Sequence, residues 1–452
     1  MSRDGGLPAR RAVVRWAWRM FRREWRQQVM VLTLLAVAVA VAAVAVSAGY
    51  HVTPPGAWVE AAAAVFGVYA VAMLLVCLIA SAGFAVLAHR RLRQLGLLAA
   101  VGASPRHLRL VLLAHGAAVG VTASMTGAVA GTLMWIAVTP RFETVVGRRV
   151  DRLDLPWWQI AAVVLLAVLT ATAAAWRPAR AAARVPITRA LSARPPRPKR
   201  ARRSAVAAAV LVTLGVVSLR IALAHRSSPA AGDDLRITEA ALIVAGTLAI
   251  GLALLFVAPS AVRVLAAAGA RLPVAPRLAW RDLGRHQARS SAALAAISLA
   301  LAVPAAIVIV ANVLEHGAAG DNRGGLAALR AIATAGGAVL ALAILAMTVG
   351  LIRAEAAGDL RVLTATGATG GIRRSLTSAT AGGLALLGAV LGIGTAYTLI
   401  LAGSSRSQLT ELARVPVVDL LVIAVGVPLL AAALGWLLAG REPRSLTRPL
   451  ME

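Results

Sequence analysis

The chain has 452 residues, of which 60% are hydrophobic, with mean hydropathy +0.80 and a formal net charge of +29. That apolar content excludes an ordinary water-soluble enzyme and describes an integral membrane protein. A single cysteine, Cys77, excludes an intramolecular disulfide and any cysteine-based metal cluster.

The N-terminal stretch places Val14, Ala17, Trp18, Phe21 and Trp25 on one helical face and Arg15, Arg19, Arg22 and Arg26 on the other. It predicts an amphipathic helix lying in the inner membrane interface. Apolar spans are then expected near 31–48, 60–88, 110–139, 157–175, 205–224, 239–261, 291–312, 331–352, 375–402 and 417–440. Val46-Ser47-Ala48 resembles a signal-peptidase site, but a basic helix followed by an apolar span recurs deep in the chain, which favours an uncleaved first span. The gaps between spans sort by charge. With the first gap inside, the inner segments hold 36 Lys+Arg against 7 acids, and the outer segments 11 against 11. The formal charge of +29 therefore sits on the inner side, both termini are cytoplasmic, and the protein is expected in the plasma membrane as a multi-pass chain. This distribution suits topology and anionic lipid, not nucleic acid. The run Pro198-Lys199-Arg200-Ala201-Arg202-Arg203 reads as a stop signal before the fifth span. The outer gaps, the longest being 313–330, are too short to fold a domain, so no large extracytoplasmic domain is expected.

The chain repeats itself. Ala17-Trp18-Arg19 returns as Ala279-Trp280-Arg281, and Leu98 to Ser104 returns as Leu363 to Thr369, at offsets of 262 and 265. The expected architecture is an all-α membrane protein of about ten spans, made of two parallel four-helix repeats and a two-helix insert. Residues 1–176 form the first repeat with its interfacial helix, 177–276 a basic cytoplasmic linker and the insert, 277–440 the second repeat, and 441–452 a cytoplasmic tail. Small residues four apart recur in the third and ninth spans: Ala123, Gly127 and Gly131 correspond to Gly388, Gly392 and Ala396. They permit close helix approach and predict a packing seam between the halves.

The inner segments 89–109 and 353–374 carry the most specific pattern. Arg90, Arg91 and Arg93 precede an apolar helix from Leu95 to Val101, which Gly102 can end. Ser104 can cap the next helix with Pro105 at its first position. The result is a cytoplasmic helix, turn and helix whose apolar face calls for a protein partner. The run His89 to Arg106, with its poorer copy Arg353 to Thr369, resembles the FtsX-like (MacB-like) permease family of ABC transporters, in a ten-span single-chain layout. The resemblance implies a transmembrane permease subunit coupled to a separate ABC ATPase, in two copies, that exports an amphipathic peptide, antibiotic or lipid or extracts it from the membrane. It also implies that the ATPase grips Arg90, Arg91, Arg93, Gln94, Leu97, Leu98, Gly102, Ser104 and Arg106 in one half, and Arg353, Asp359, Arg361, Gly367 and Thr369 in the other. The sequence departs from the family where a Glu is replaced by Gln94 and Asp359, and an Arg by Ala99 and Thr364. Coupling would then use other contacts or be weaker in one half.

No nucleotide site of its own is expected. A Walker A loop needs a lysine before Ser or Thr, and the sole lysine, Lys199, stands in Arg-Pro-Lys-Arg. ATP and Mg²⁺ would enter through the partner ATPase. No nucleophile elbow, His-Glu-x-x-His run or metal spacing is present, so no catalytic residue and no metal ligand is expected, and the chain is not itself an enzyme. Two alternatives stand beside the permease: an ATP-independent carrier, and a non-transporting membrane adaptor for signalling or for control of a cell-wall hydrolase.

Overall fold

The computed structural model describes residues 19, 31–33, 35–51, 66–67, 69–78, 80–81, 84, 104–146, 149–182, 204–226, 233–285, 287–317, 330–331, 334–339, 341–342, 344–346, 349, 370–405 and 415–439. Among the described residues there is no strand. In chain order the helices are α1 (Val31–His51), α2 (Tyr69–Leu78), α3 (Pro105–Val146), α4 (Trp157–Ala182), α5 (Ser204–Arg226), α6 (Asp233–Ala268), α7 (Val274–Arg285), α8 (Gln287–Gly317), α9 (Thr334–Ala346), α10 (Gly370–Gly403) and α11 (417–439). Helices α1, α3, α4, α5, α6, α8, α10 and α11 each contain a stretch long and apolar enough to cross a membrane. Helices α2 and α9 are shorter apolar helices inside the expected second and eighth spans. The protein is an all-α, multi-pass membrane protein.

Helices are what such a composition allows in lipid, because no water is present to satisfy exposed backbone groups. The side-chain hydroxyls obey the same constraint. Thr122 donates to Ala118 O at 2.9 Å, Thr139 to Trp135 O at 2.7 Å, Ser298 to Leu294 O at 2.8 Å and Thr395 to Leu391 O at 2.7 Å. Each is closed within its own helix. Several helices run beyond their expected spans. Helix α3 passes through Pro140 to Val146, whereas hydropathy ends its span at 139. Helix α4 likewise continues through Pro178, and α6 and α8 run unbroken through Pro259 and Pro304 inside their expected spans. In α11 a π turn, Val422–Gly426, lies just before Pro428. Proline has no N–H for the usual bond four residues back, and the wider turn accommodates that loss.

The chain divides into two compact units, one of 1–197 with 229–244 and the other of 198–228 with 245–452, so the division falls within α6. In the first unit, Leu35, Val39, Ala42 and Val46 of α1 meet Tyr69, Met73 and Val76 of α2, Ala123 of α3, and Val163, Ala167 and Ala171 of α4 in one core. The Tyr69 hydroxyl donates to Val163 O at 3.0 Å. At the end that the charge distribution assigns to the outside, His51 stacks on the buried Trp135 ring, with centroids 5.6 Å apart, and its Nε2 donates to Asp154 O at 3.0 Å. Val150, Leu155 and Ile160 close over the same point. His115, deep in α3, is fully buried with its ring edge-on to Phe84.

In the second unit, α10 packs along α8 and α11, with α5 and α7 also against it. Arg220 of α5 donates to Leu401 O at 2.8 Å and Ser404 O at 3.2 Å, covering carbonyls that the end of α10 leaves without helical partners. Arg330 forms an ion pair with Asp419 at the start of α11, its Nε 3.1 Å from the carboxylate.

The glycines of the expected seam lie at close helix crossings inside each half. A Cβ on Gly127 would collide with the Ala36 carbonyl oxygen and lie 2.8 Å from Val39 Cβ, and one on Gly131 would lie 2.8 Å from Ala40 O. A Cβ on Gly392 would lie 2.8 Å from Ser298 O and 3.1 Å from Leu301 Cβ, and one on Gly388 would collide with the Ile297 side chain. These faces of α3 and α10 are occupied by α1 and α8. The packing seam expected between the halves is thus a seam within each half, because the sequence shows which face permits approach but not which helix fills it. The register repeats: Gly127 against Ala36 and Val39 becomes Gly392 against Ser298 and Leu301, at the offsets read from the sequence.

A second crossing repeats with its residues exchanged. A Cβ on Gly116 would lie 2.7 Å from Ala175 Cβ between α3 and α4, whereas between α10 and α11 a Cβ on Gly435 would lie 3.1 Å from Ala381 Cβ. Gly116 corresponds to Ala381, and Ala175 to Gly435. Gly116→Ala should therefore destabilise the purified protein by about 1–3 kcal/mol, and Gly116→Ala with Ala175→Gly should recover most of the loss in thermal unfolding. A double variant no more stable than Gly116→Ala would contradict the crossing.

Candidate ATPase-coupling site

Of the residues expected to meet an ATPase, Arg90, Arg91, Arg93, Gln94, Leu97, Leu98 and Gly102, and in the second half Arg353, Asp359, Arg361, Gly367 and Thr369, lie outside the described residues. The structure shows how the segments that carry them enter α3 and α10. Ser104 stands immediately before α3, with Pro105 as its first residue, and the His107 N–H faces the Ser104 carbonyl at 3.0 Å and its hydroxyl at 3.4 Å. Ser104 Oγ also lies 2.9 Å from His107 Nδ1. This is the capped start that the sequence predicts. Arg106, in the first turn, is exposed.

One turn further on, each half ties the start of this helix to a neighbour in the same way. The Arg109 guanidinium lies over the Trp176 ring at 5.2 Å from its centroid, joining α3 to the end of α4. The Arg374 guanidinium lies over Trp436 at 4.8 Å, joining α10 to the end of α11. Arg109 and Arg374 are 265 apart, the offset of the preceding Gly-Ala motif. Trp176 and Trp436, which complete these pairs, are residues that sequence reasoning missed. The signal was their own offset of 260, which emerges only when the ends of the fourth and tenth spans are compared.

The second half shows how its entry helix docks. Helix α7 buries Ala279 and Leu283 and leaves Val274 and Leu278 exposed. Trp280 donates its indole N–H to Ala379 O of α10 at 3.0 Å. Its ring fits there because residue 383 is glycine; a Cβ on Gly383 would lie 2.6 Å from Trp280 Nε1. Ser290 at the start of α8 donates to Leu283 O at 2.8 Å, bracing the turn out of α7. The segment expected to form the corresponding N-terminal helix, apart from Arg19, lies outside the described residues. Among the described residues no group of three or more His, Cys, Asp or Glu side chains is placed to hold a metal ion.

The fold is that of a multi-pass helical membrane protein in which glycine crossings and Arg–Trp pairs recur at similar offsets. Residues 65–187 match the family described as FtsX-like permease C-terminal. The match runs from the second expected span through the segment 89–109 into α3 and α4, and it bears out the resemblance read from that segment. The family whose model matches this stretch consists of permease components of ABC transporters, membrane subunits that work with an ABC ATPase subunit. The chain has no significant match among curated proteins or solved structures.

Trp280→Phe should keep the ring in its niche and remove only the bond to Ala379 O, lowering stability by about 1 kcal/mol, while Gly383→Leu should cost more by expelling the ring. Thermal unfolding of the purified variants checks both. Equal, negligible effects would show that α7 is not anchored through this indole.

Proposed function

We propose that the chain is the membrane subunit of an ABC exporter or mechanotransmission machine, with one copy of a separate ATPase docking under each of the segments 89–109 and 353–374. The observation that carries this reading is the FtsX-like match over residues 65–187, which spans the first of these segments together with the helices on either side of it. Closure of the ATPase dimer would push the two inner segments. The push would pass along the second and third spans in one half and the eighth and ninth in the other. Ser104, Arg109 and Trp176 support the joint, because they fix the helix that leaves the first segment and tie it to α4. Each half would move as a bundle, since α1 is locked to α3 and α8 to α10 at backbone contact.

The cargo in this proposal is an amphipathic compound expelled or extracted from the bilayer, such as a peptide, antibiotic or lipid. Support comes from the short outer gaps, which favour a substrate taken from the membrane over one carried through an outer domain. An ion-driven carrier receives less support. Among the described residues the acids of the long apolar helices lie toward helix ends, as with Glu239 early in α6 and Asp419 in the first turn of α11, and carriers place such groups near mid-membrane. The working orientation has both termini in the cytoplasm.

The ABC ATPase should co-purify with the full chain from native membranes, and replacing Leu95, Leu97 and Leu98 with Asp should abolish that association while the protein still inserts and elutes as a single species. Undiminished ATPase binding after both inner segments are altered would overturn the mechanism.

A further inference from the structure

We propose that Arg109 with Trp176, and Arg374 with Trp436, form two equivalent sites for the phosphate of an anionic lipid headgroup in the inner leaflet. The inference uses the inner placement given by the arginine distribution and is independent of the ATPase partner.

The geometry of the pairs is the starting point. In each, the guanidinium carbon lies over the indole ring, at 5.2 Å and 4.8 Å from the ring centroid. A cation held this way keeps its charge, and a guanidinium carries more N–H donors than one ring engages. Its N–H fork matches a phosphate by two parallel hydrogen bonds. Among the described residues neither Arg109 nor Arg374 has a carboxylate partner, and the first turns of α3 and α10 contain no acid. The ring orients the donor without neutralising it.

The depth is that of headgroups. Trp176 and Trp436 are 44% and 46% exposed, which leaves one side of each ring for the interface. In α4 the other exposed tryptophans are Trp157 and Trp158, about 28 Å from Trp176 along the helix axis, close to the thickness of a hydrocarbon core. Trp176 therefore sits at one membrane boundary when Trp157 sits at the other.

Charge then selects the anion. The inner segments carry 36 Lys+Arg against 7 acids, so the protein cannot supply enough counter-charge on that side. The lipid phosphates of the inner leaflet lie at the right depth and carry it. Recurrence separates the pair from an accident. The two copies have diverged at Gln94 and Asp359 and at Ala99 and Thr364, yet each retains an arginine over a tryptophan.

The test is native mass spectrometry of the full chain released from nanodiscs that mix phosphatidylglycerol and phosphatidylcholine, read beside its thermal unfolding. The unmodified chain should retain two phosphatidylglycerol molecules. Arg109→Gln and Arg374→Gln should each remove one, and the double variant both, with affinity falling about fivefold per site. Arg→Lys at either position keeps charge without the fork and should fall in between, while Arg285→Gln in α7 should change nothing. Soluble glycerol phosphate should not displace the retained lipid. The proposal fails if the double variant keeps both lipids, or if it unfolds more easily with unchanged lipid retention, which would make the pairs structural staples. Displacement by glycerol phosphate would reassign the sites to free anions. Lost ATPase association with intact lipid retention would reassign them to protein docking.

Discussion

Close backbone contact between helices is the constraint on which the rest of this protein depends. Inside a bilayer the lipid tails are as apolar as the side chains, so burial alone gives helices little reason to associate. What remains is packing, and packing is strongest where backbones touch. Gly127 and Gly131 let α3 reach the backbone of α1, and Gly392 lets α10 reach the Ser298 carbonyl of α8. Those crossings fix the positions of α3 and α10, and both helices continue directly from the segments proposed to meet an ATPase.

From these seams each half builds outward in a similar order. Helix α4 joins α3 through Gly116 and Ala175, and α11 joins α10 through Ala381 and Gly435. In both halves arginine over tryptophan closes the end at which α3 and α10 begin. At the opposite ends the halves differ. The first unit uses His51 between Trp135 and Asp154 O, while the second uses the Arg330–Asp419 pair and Arg220 on the end of α10. Arg220 gives the insert a structural task in the second unit.

Much of this was legible in the sequence. Hydropathy located the long helices because a spanning segment must be apolar over most of its length, and the offsets 262 and 265 also relate the glycine crossings of α3 and α10. The Ser104–Pro105 start of α3 was readable because capping is local. Helix ends were less legible: α3 continues to Val146 since its hydrogen bonds persist after the apolar stretch stops. The small-residue stripes were visible, but their partners were not, because a stripe records only that something may approach closely. The Arg–Trp pairs were hidden for a similar reason, as each joins residues more than 60 apart. Most of the expected coupling residues, including Arg90 to Gly102 and Arg353 to Thr369, lie outside the described residues and rest on the family resemblance, with the match covering only the first set.

The central claim is that two like-oriented repeats each present a hairpin to the cytosol. It is tested most directly by labelling Ala103→Cys and Ala368→Cys, one at a time in a Cys77→Ser background, with a membrane-impermeant maleimide on intact and permeabilised cells. The account predicts that both cysteines are protected in intact cells and react after permeabilisation. Reaction of either one from outside intact cells would contradict it.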